Sequence, residues 1–368
     1  MVEPTDFKSA VVRANGRRIH LAEAGDGPMV LFLHGFPESW YSWRHQLVAL
    51  RDAGYRAVAM SGRGYGRSSR PSALADYRIT ELVGDCVGVV HALGESTAVI
   101  VGHDWGAQVA WAAAWTRPDV FTAVAGVSVP FPGRALTGLT SRSGIPVGEE
   151  RPTDIHRAIS GDELTFYMDY IAEPGRAERE IEADVRGWLR DGYYTLSASA
   201  PLPPALQGVD LTALDDDAII DILRGAATCI PPGARWRDRF LSAPDVLPGW
   251  LPEEVFDFYV RELEYTGFTG ALNWYRCLDL DWELLAPYAY KPVEVPGLYV
   301  AGERDPVTMW CRDAISQMPK TVPELHASHI LPNCGHWVGE ERPQETNDAL
   351  LDFLGNLHFS HSRRHVHP

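Results

Sequence analysis

Residues 97–106 read TAVIVGHDWG, and residues 107–115 continue as AQVAWAAAW. The first part is a short apolar run of the kind that forms a buried parallel strand, and the second has the composition of a buried helix. Between them, Gly102-His103-Asp104-Trp105-Gly106 makes a small-x-acid-x-small turn. A strand-turn-helix of this pattern is the shape of a nucleophile elbow, with Asp104 where a serine-type hydrolase has its serine. A carboxylate held there can attack a substrate carbon and form an alkyl ester. That chemistry opens epoxides or carbon–halogen bonds rather than cleaving esters.

Working outward, PMVLFLHG (28–35) and YRAVAMSG (55–62) are apolar runs ending in glycine, as buried parallel strands do. From Thr80, a plausible N-cap, apolar residues repeat at three and four positions to Leu93, and Gly94 stops the helix. A strand at 98–103, a helix at 106–116 and a strand at 120–129 continue the alternation. This order predicts an α/β fold, a mostly parallel sheet with helices on both faces. After Pro132-Gly133 the pattern changes. Residues 134–155 read as loop, and helical patterns follow at 162–172, 176–190, 214–226 and 253–266. Strand patterns return in PGLYVAGERD (296–305) and ASHILPNCGHW (327–337), with a last helix at 342–356. The expected organisation is a core in two parts, 1–133 and 276–356, split by a helical cap at 134–275. Residues 357–368, LHFSHSRRHVHP, lack periodicity and read as a flexible tail.

The chain has 368 residues, 45% of them hydrophobic, enough for a sizeable core. Its formal charge of -16 argues against nucleic acid or an anionic membrane as partner, since both require a basic footprint. The N-terminal MVEPTDFKSA has no cationic region followed by an apolar stretch, so a cytoplasmic protein is expected. The five cysteines form no CxxC pair and are expected to be reduced. Neither metal-ligand spacing nor a phosphate-binding or dinucleotide loop is present, so no metal and no cofactor is implied. A homodimer is one of the assemblies the sequence leaves open.

An elbow nucleophile needs an acid and a histidine, in that chain order, from later strand ends. Asp305 follows the strand ending at Gly302, and His336 lies in the glycine-permitted loop Cys334-Gly335-His336-Trp337. Asp279 and Asp281 compete for the acid role, but LDLDWELL (278–285) reads as a helix entry, which favours Asp305. Glu303 reads as a supporting residue. HGFPESWYSWRHQ (34–46) follows the strand LFL, and its glycine lets the chain bend close to the site. The backbone N–H groups of Phe36 and Trp105 are therefore the candidate oxyanion-hole donors. His34 and His103 read as structural hydrogen-bonding residues.

HGFPESWYSWRHQ, RGYGRSS (63–69), GHDWGA (102–107), FYMDYIAEPG (166–175), GFTGALNWYR (267–276) and CGHW (334–337) resemble, in order, the motifs of soluble epoxide hydrolases of the α/β-hydrolase superfamily. The resemblance spans about residues 8–356. It implies the α/β-hydrolase fold with an inserted helical cap, a small-molecule epoxide as substrate, and two cap phenols reaching the epoxide oxygen. The matching residues are Tyr167 and Tyr275. A phenol of pKa about 10 can hydrogen-bond to, or protonate, the far more basic alkoxide left by ring opening. One departure is Ser61-Gly62, where the family commonly has an acidic residue, which puts the support of the Arg63 loop in question.

The expected reaction is attack by Asp104, formation of an alkyl ester, and hydrolysis of that ester by water activated by His336 with Asp305 behind it. Trp40, Phe131, Trp274 and Trp337 are candidate substrate-lining residues. A haloalkane dehalogenase is the nearest alternative, although Phe36 offers no side-chain halide donor and that chemistry has no use for two phenols. A non-catalytic ligand-binding member of the fold is another, since fold does not fix function.

Overall fold

The computed structural model describes residues 2–202 and 214–357. Its central sheet is built from β1 (Lys8–Ala14), β2 (Arg17–Ala24), β3 (Met29–Leu33), β4 (Arg56–Met60), β5 (Ala98–His103) and β6 (Phe121–Val127). A short hairpin of β7 (Thr165–Phe166) and β8 (Cys229–Ile230) stands apart, and β9 (Gly297–Gly302) and β10 (Leu325–Leu331) complete the sheet. The strand order is β1-β2-β4-β3-β5-β6-β9-β10. From β4 to β10 every pairing is parallel, while β1 and β2 join as an antiparallel edge. Every residue of β3, β5 and β9 is buried, which explains why these strands read as unbroken apolar runs.

The helices are α1 (Arg44–Asp52), α2 (Ile79–Ala92), α3 (Trp105–Thr116), α4 (Pro152–Ser160), α5 (Tyr167–Ala172), α6 (Arg176–Ile181), α7 (Val185–Leu196) and α8 (Asp216–Gly225). They continue with α9 (Glu253–Thr266), α10 (Thr269–Arg276), α11 (Leu278–Leu284), α12 (Pro306–Trp310), α13 (Arg312–Thr321), α14 (Val338–Glu341) and α15 (Pro343–Gly355). In α3 every residue from Trp105 to Trp115 is buried, as befits a helix apolar on all sides, and it packs on β5, β6 and α2.

Several local expectations change. The stretch expected to be loop up to 155 already contains α4, which starts at Pro152, a residue preorganised for a first helical turn. The single helix expected at 176–190 is two, α6 and α7, and Asp184 caps the second by accepting from the Gly187 N–H. The 162–172 helix is shortened to α5 because Thr165–Phe166 pair with β8. Thr80 is not the N-cap of α2. That helix starts at Ile79, whose N–H is taken by the Asp281 carboxylate at 2.9 Å from a distant part of the chain. The tail from residue 358 lies outside the described residues.

Candidate active site

The C-terminal ends of β3, β5, β6, β9 and β10 deliver Phe36, Asp104, Ser128, Asp305 and His336 to one place. This is the edge of an open α/β sheet where ligands bind. Asp104 sits between β5 and α3 with φ 52° and ψ -122°, a conformation uncommon for a residue with a Cβ. The flanking glycines allow the turn to close. A Cβ on Gly102 would lie 2.0 Å from the Gly106 carbonyl oxygen, and one on Gly106 would lie 2.0 Å from that of Leu33.

The Phe36 N–H donates to Asp104 Oδ1 at 2.8 Å, and the Trp105 N–H is a second backbone donor to the carboxylate. The other oxygen, Oδ2, lies 3.7 Å from His336 Nε2. Burial raises the Asp104 pKa, while His336, His103 and the two N–H groups oppose the rise. His336 Nδ1 lies 3.2 Å from each Asp305 oxygen. Burial disfavours the imidazolium, but the charge and hydrogen bond of Asp305 outweigh it and raise the pKa of His336. Asp305 is itself fully buried, with Oδ1 accepting from the Val307 N–H.

Over this group stand Tyr167, at the start of α5, and Tyr275, in α10, with ring centroids 6.3 Å apart. Tyr275 packs edge-on against Phe36 and Trp105, and Tyr167 stacks on Trp236. Burial, followed by the charge of Asp104, holds both phenols well above their ordinary pKa, so both remain protonated donors. Trp188 and Phe268 close the apolar wall around Phe36.

An aspartate on an elbow, backbone donors on its carboxylate, a histidine–acid pair beside it and two phenols opposite make a set suited to opening a polar ring. Residues 28–139 match the family described as alpha/beta hydrolase fold. Epoxide hydrolase B of Mycobacterium tuberculosis is 44% identical over 355 residues, covering 94% of this chain and 98% of its own. The chain belongs to the epoxide hydrolase family. Two solved epoxide hydrolases share the architecture at full scale. One is from an endophytic Streptomyces (47% identity, TM-score 0.84, 95% of each chain). The other is epoxide hydrolase A of Mycobacterium thermoresistibile (38% identity, TM-score 0.81, 96% of this chain and 100% of that one).

For this member of the epoxide hydrolase family, two of the expected lining residues need correction. Trp40 packs among Phe7, His20, Tyr41 and Phe258, and Phe131 packs against Trp111 and Trp115 and lines a separate pocket with Gly133, Arg134 and Tyr290, so neither joins the Phe36, Trp105 and Tyr275 rings around Asp104. Trp274 and Trp337 stand one layer back. Trp274 donates to the Arg63 carbonyl and packs on Trp105, whereas Trp337 donates to the Tyr193 carbonyl, stacks on that ring and meets His336 edge-on.

His34 and His103 have the structural roles expected of them. The Gly62 N–H donates to His34 Nε2, and His103 bonds Glu38 through Nδ1 (2.7 Å) and the His336 carbonyl through Nε2 (2.8 Å). Asp281 caps α2 and Asp279 binds Arg151, so neither is near His336. Glu303 accepts from the Asn333 N–H, bracing the loop before His336. The Arg63 loop does not need an acid at position 61: Asp85 grips the guanidinium with both oxygens, at 2.7 and 2.8 Å. Gly62 is required on other grounds, since a Cβ there would meet the Trp274 ring at 2.8 Å.

Sequence reasoning missed Glu38 and Ser128. Glu38 lay inside a quoted motif, and an acid four residues after His34 was the available signal. Ser128 had a weaker one, a polar residue directly after a mostly buried strand.

Among the described residues no helix is long and apolar enough to cross a membrane.

Proposed function

We propose that the protein converts an epoxide and water to a vicinal diol through an alkyl ester on Asp104. The epoxide oxygen accepts hydrogen bonds from Tyr167 and Tyr275 while Asp104 Oδ2 attacks a ring carbon from the opposite side. The carbon–oxygen ring bond breaks, and its electrons leave on the ring oxygen, which takes a phenol proton. His336, oriented by Asp305, then removes a proton from water, and the hydroxide adds to the carboxyl carbon of Asp104. The resulting oxyanion occupies the Phe36 and Trp105 donors, and collapse breaks the bond from the carboxyl carbon to the alkyl oxygen, which takes the proton of the new carboxyl group and leaves as the diol; the proton held by His336 returns through water to the tyrosinate, restoring carboxylate, imidazole and phenol. The observation that carries this reading is the division of labour at Asp104. One oxygen is bound by the Phe36 N–H at 2.8 Å, and the other faces His336 at 3.7 Å, below two protonated phenols.

The names of the relatives point the same way. The five cysteines are free and buried, which supports a reducing, cytoplasmic compartment.

The test is a single turnover of excess enzyme with styrene oxide in oxygen-18 water. First-turnover diol without label is expected, because its new oxygen comes from Asp104; labelled diol would mean direct attack by water and overturn the ester route. Asp104→Ala and His336→Ala are both expected to abolish turnover, with the ester accumulating only in the second.

A further inference from the structure

The residue that follows β6 does more than leave a strand. Ser128 is fully buried and has φ 70°, a region that favours glycine. Its backbone is pinned on both sides: the N–H donates to the Val300 carbonyl at 2.8 Å, and the carbonyl accepts from the Tyr299 hydroxyl at 2.9 Å. Glycine would satisfy this backbone more comfortably, so the side chain needs its own reason.

That reason lies in two contacts. Ser128 Oγ is 2.5 Å from Asp305 Oδ2 and 3.1 Å from His336 Nδ1. A carboxylate only accepts, so the single hydroxyl proton points to Asp305. The lone pairs of Oγ are then left facing the Nδ1–H of His336, as a third acceptor beside the two Asp305 oxygens at 3.2 Å.

We propose that Ser128 is a positioning residue for the histidine–acid pair. Its hydroxyl fixes the imidazole with Nδ1 protonated and Nε2 free toward Asp104, and it disperses part of the Asp305 charge. The role rests on the ester route through Asp104 and belongs to that route's second step, in which His336 acts as base. Ring opening by Asp104 does not need it.

The experiment compares Ser128→Ala, Ser128→Gly and Ser128→Thr. Ester formation and ester hydrolysis are followed separately, by stopped-flow tryptophan fluorescence and intact-protein mass spectrometry with styrene oxide. The Ala and Gly variants are expected to form ester within about twofold of the unsubstituted protein, which also shows that they are folded. They should hydrolyse it about tenfold more slowly, the cost of one hydrogen bond to a charged group. The acid limb of hydrolysis should move to higher pH, because an undispersed Asp305 charge holds the imidazolium proton more tightly. Thr keeps the hydroxyl but is β-branched at positive φ, so it is expected to be the least stable variant and the fastest of the three in hydrolysis. Hydrolysis rates that instead follow backbone comfort, with Gly above Thr and an unmoved pH limb, would overturn the proposal. Failure of the unsubstituted protein to form ester would overturn the covalent route itself, and with it the step that Ser128 serves.

Discussion

At the scale of single residues, the state of His336 changes during the proposed cycle. In the free protein its pKa is raised against the effect of burial, mainly by Asp305 and in smaller part by the Asp104 charge. Esterification removes that Asp104 charge, so the imidazolium loses one of its stabilising partners and its pKa falls. Since the base must be neutral, hydrolysis is lost as pH falls through this lowered value. The acid limb of ester hydrolysis, measured by single turnover, is therefore expected below the imidazolium titration of the free protein followed by NMR. Coincident values would show that Asp104 does not act on His336. Asp104, Asp305 and His336 were legible in the sequence because each follows a recognisable strand and they occur in a fixed order. Ser128 was not, because its contacts join residues 177 and 208 positions away.

At the scale of elements, the elbow between β5 and α3 works because two glycines let three pieces of backbone touch. Gly106 is where α3 meets the end of β3, facing the carbonyls of both Leu33 and His34. No flexible side chain is there to move aside. Gly106→Ala should push α3 off β3, displace Asp104 from the Phe36 N–H and destabilise the fold by about 3 kcal/mol, an overpacking cost at the top of the usual range. Denaturant unfolding measures this, and a loss under 1 kcal/mol would mean that the elbow is more yielding than its contacts imply. The elements that were misjudged were those whose limits come from elsewhere in the chain. α2 starts two residues early because Asp281 reaches its first N–H, and α5 is short because β8 claims the residues before it. The antiparallel edge strand β1 and the helices α12 and α13 also went unread; β1 and α13 are partly exposed, so their apolar pattern is weak.

At the scale of the whole molecule, Glu38 and His103 tie together three loops from distant strands. Glu38 Oε2 accepts from the Gly35 N–H beside Phe36 and from His103 beside Asp104, and His103 in turn donates to the carbonyl of His336. The mutual charge holds Glu38 below the ordinary carboxylate pKa and, against burial, raises His103 to about 9. The sign follows from both shifts. The His103 contribution is complete below its ordinary 6.5 and disappears as pH rises through about 9. That of Glu38 is complete above its ordinary 4.5 and is lost in acid. Breaking such a pair by Glu38→Gln should cost about 3 kcal/mol in urea unfolding at pH 6. The difference should shrink as the pH approaches 9, and a pH-independent difference would show that His103 is not charged.

What the sequence determined by itself was local and ordered: apolar strands, a glycine-bounded turn around Asp104, the succession of Asp305 and His336, and the two tyrosines carried by motifs in a family's order. Such features lie within a few residues of one another or in a fixed sequence, so one strand-helix period or one resemblance reveals them. Only the tertiary structure decided which aromatics surround the site and which build the core. Trp40 and Phe131 read the same as Trp274 and Trp337 until their neighbours are known. It also decided that Asp85 supports Arg63, that Glu38 is paired with His103, and that Ser128 touches the histidine–acid pair. Each of these is a meeting of buried polar groups from separate strands. A buried polar group must find a partner, but only the packing of the sheet determines which one.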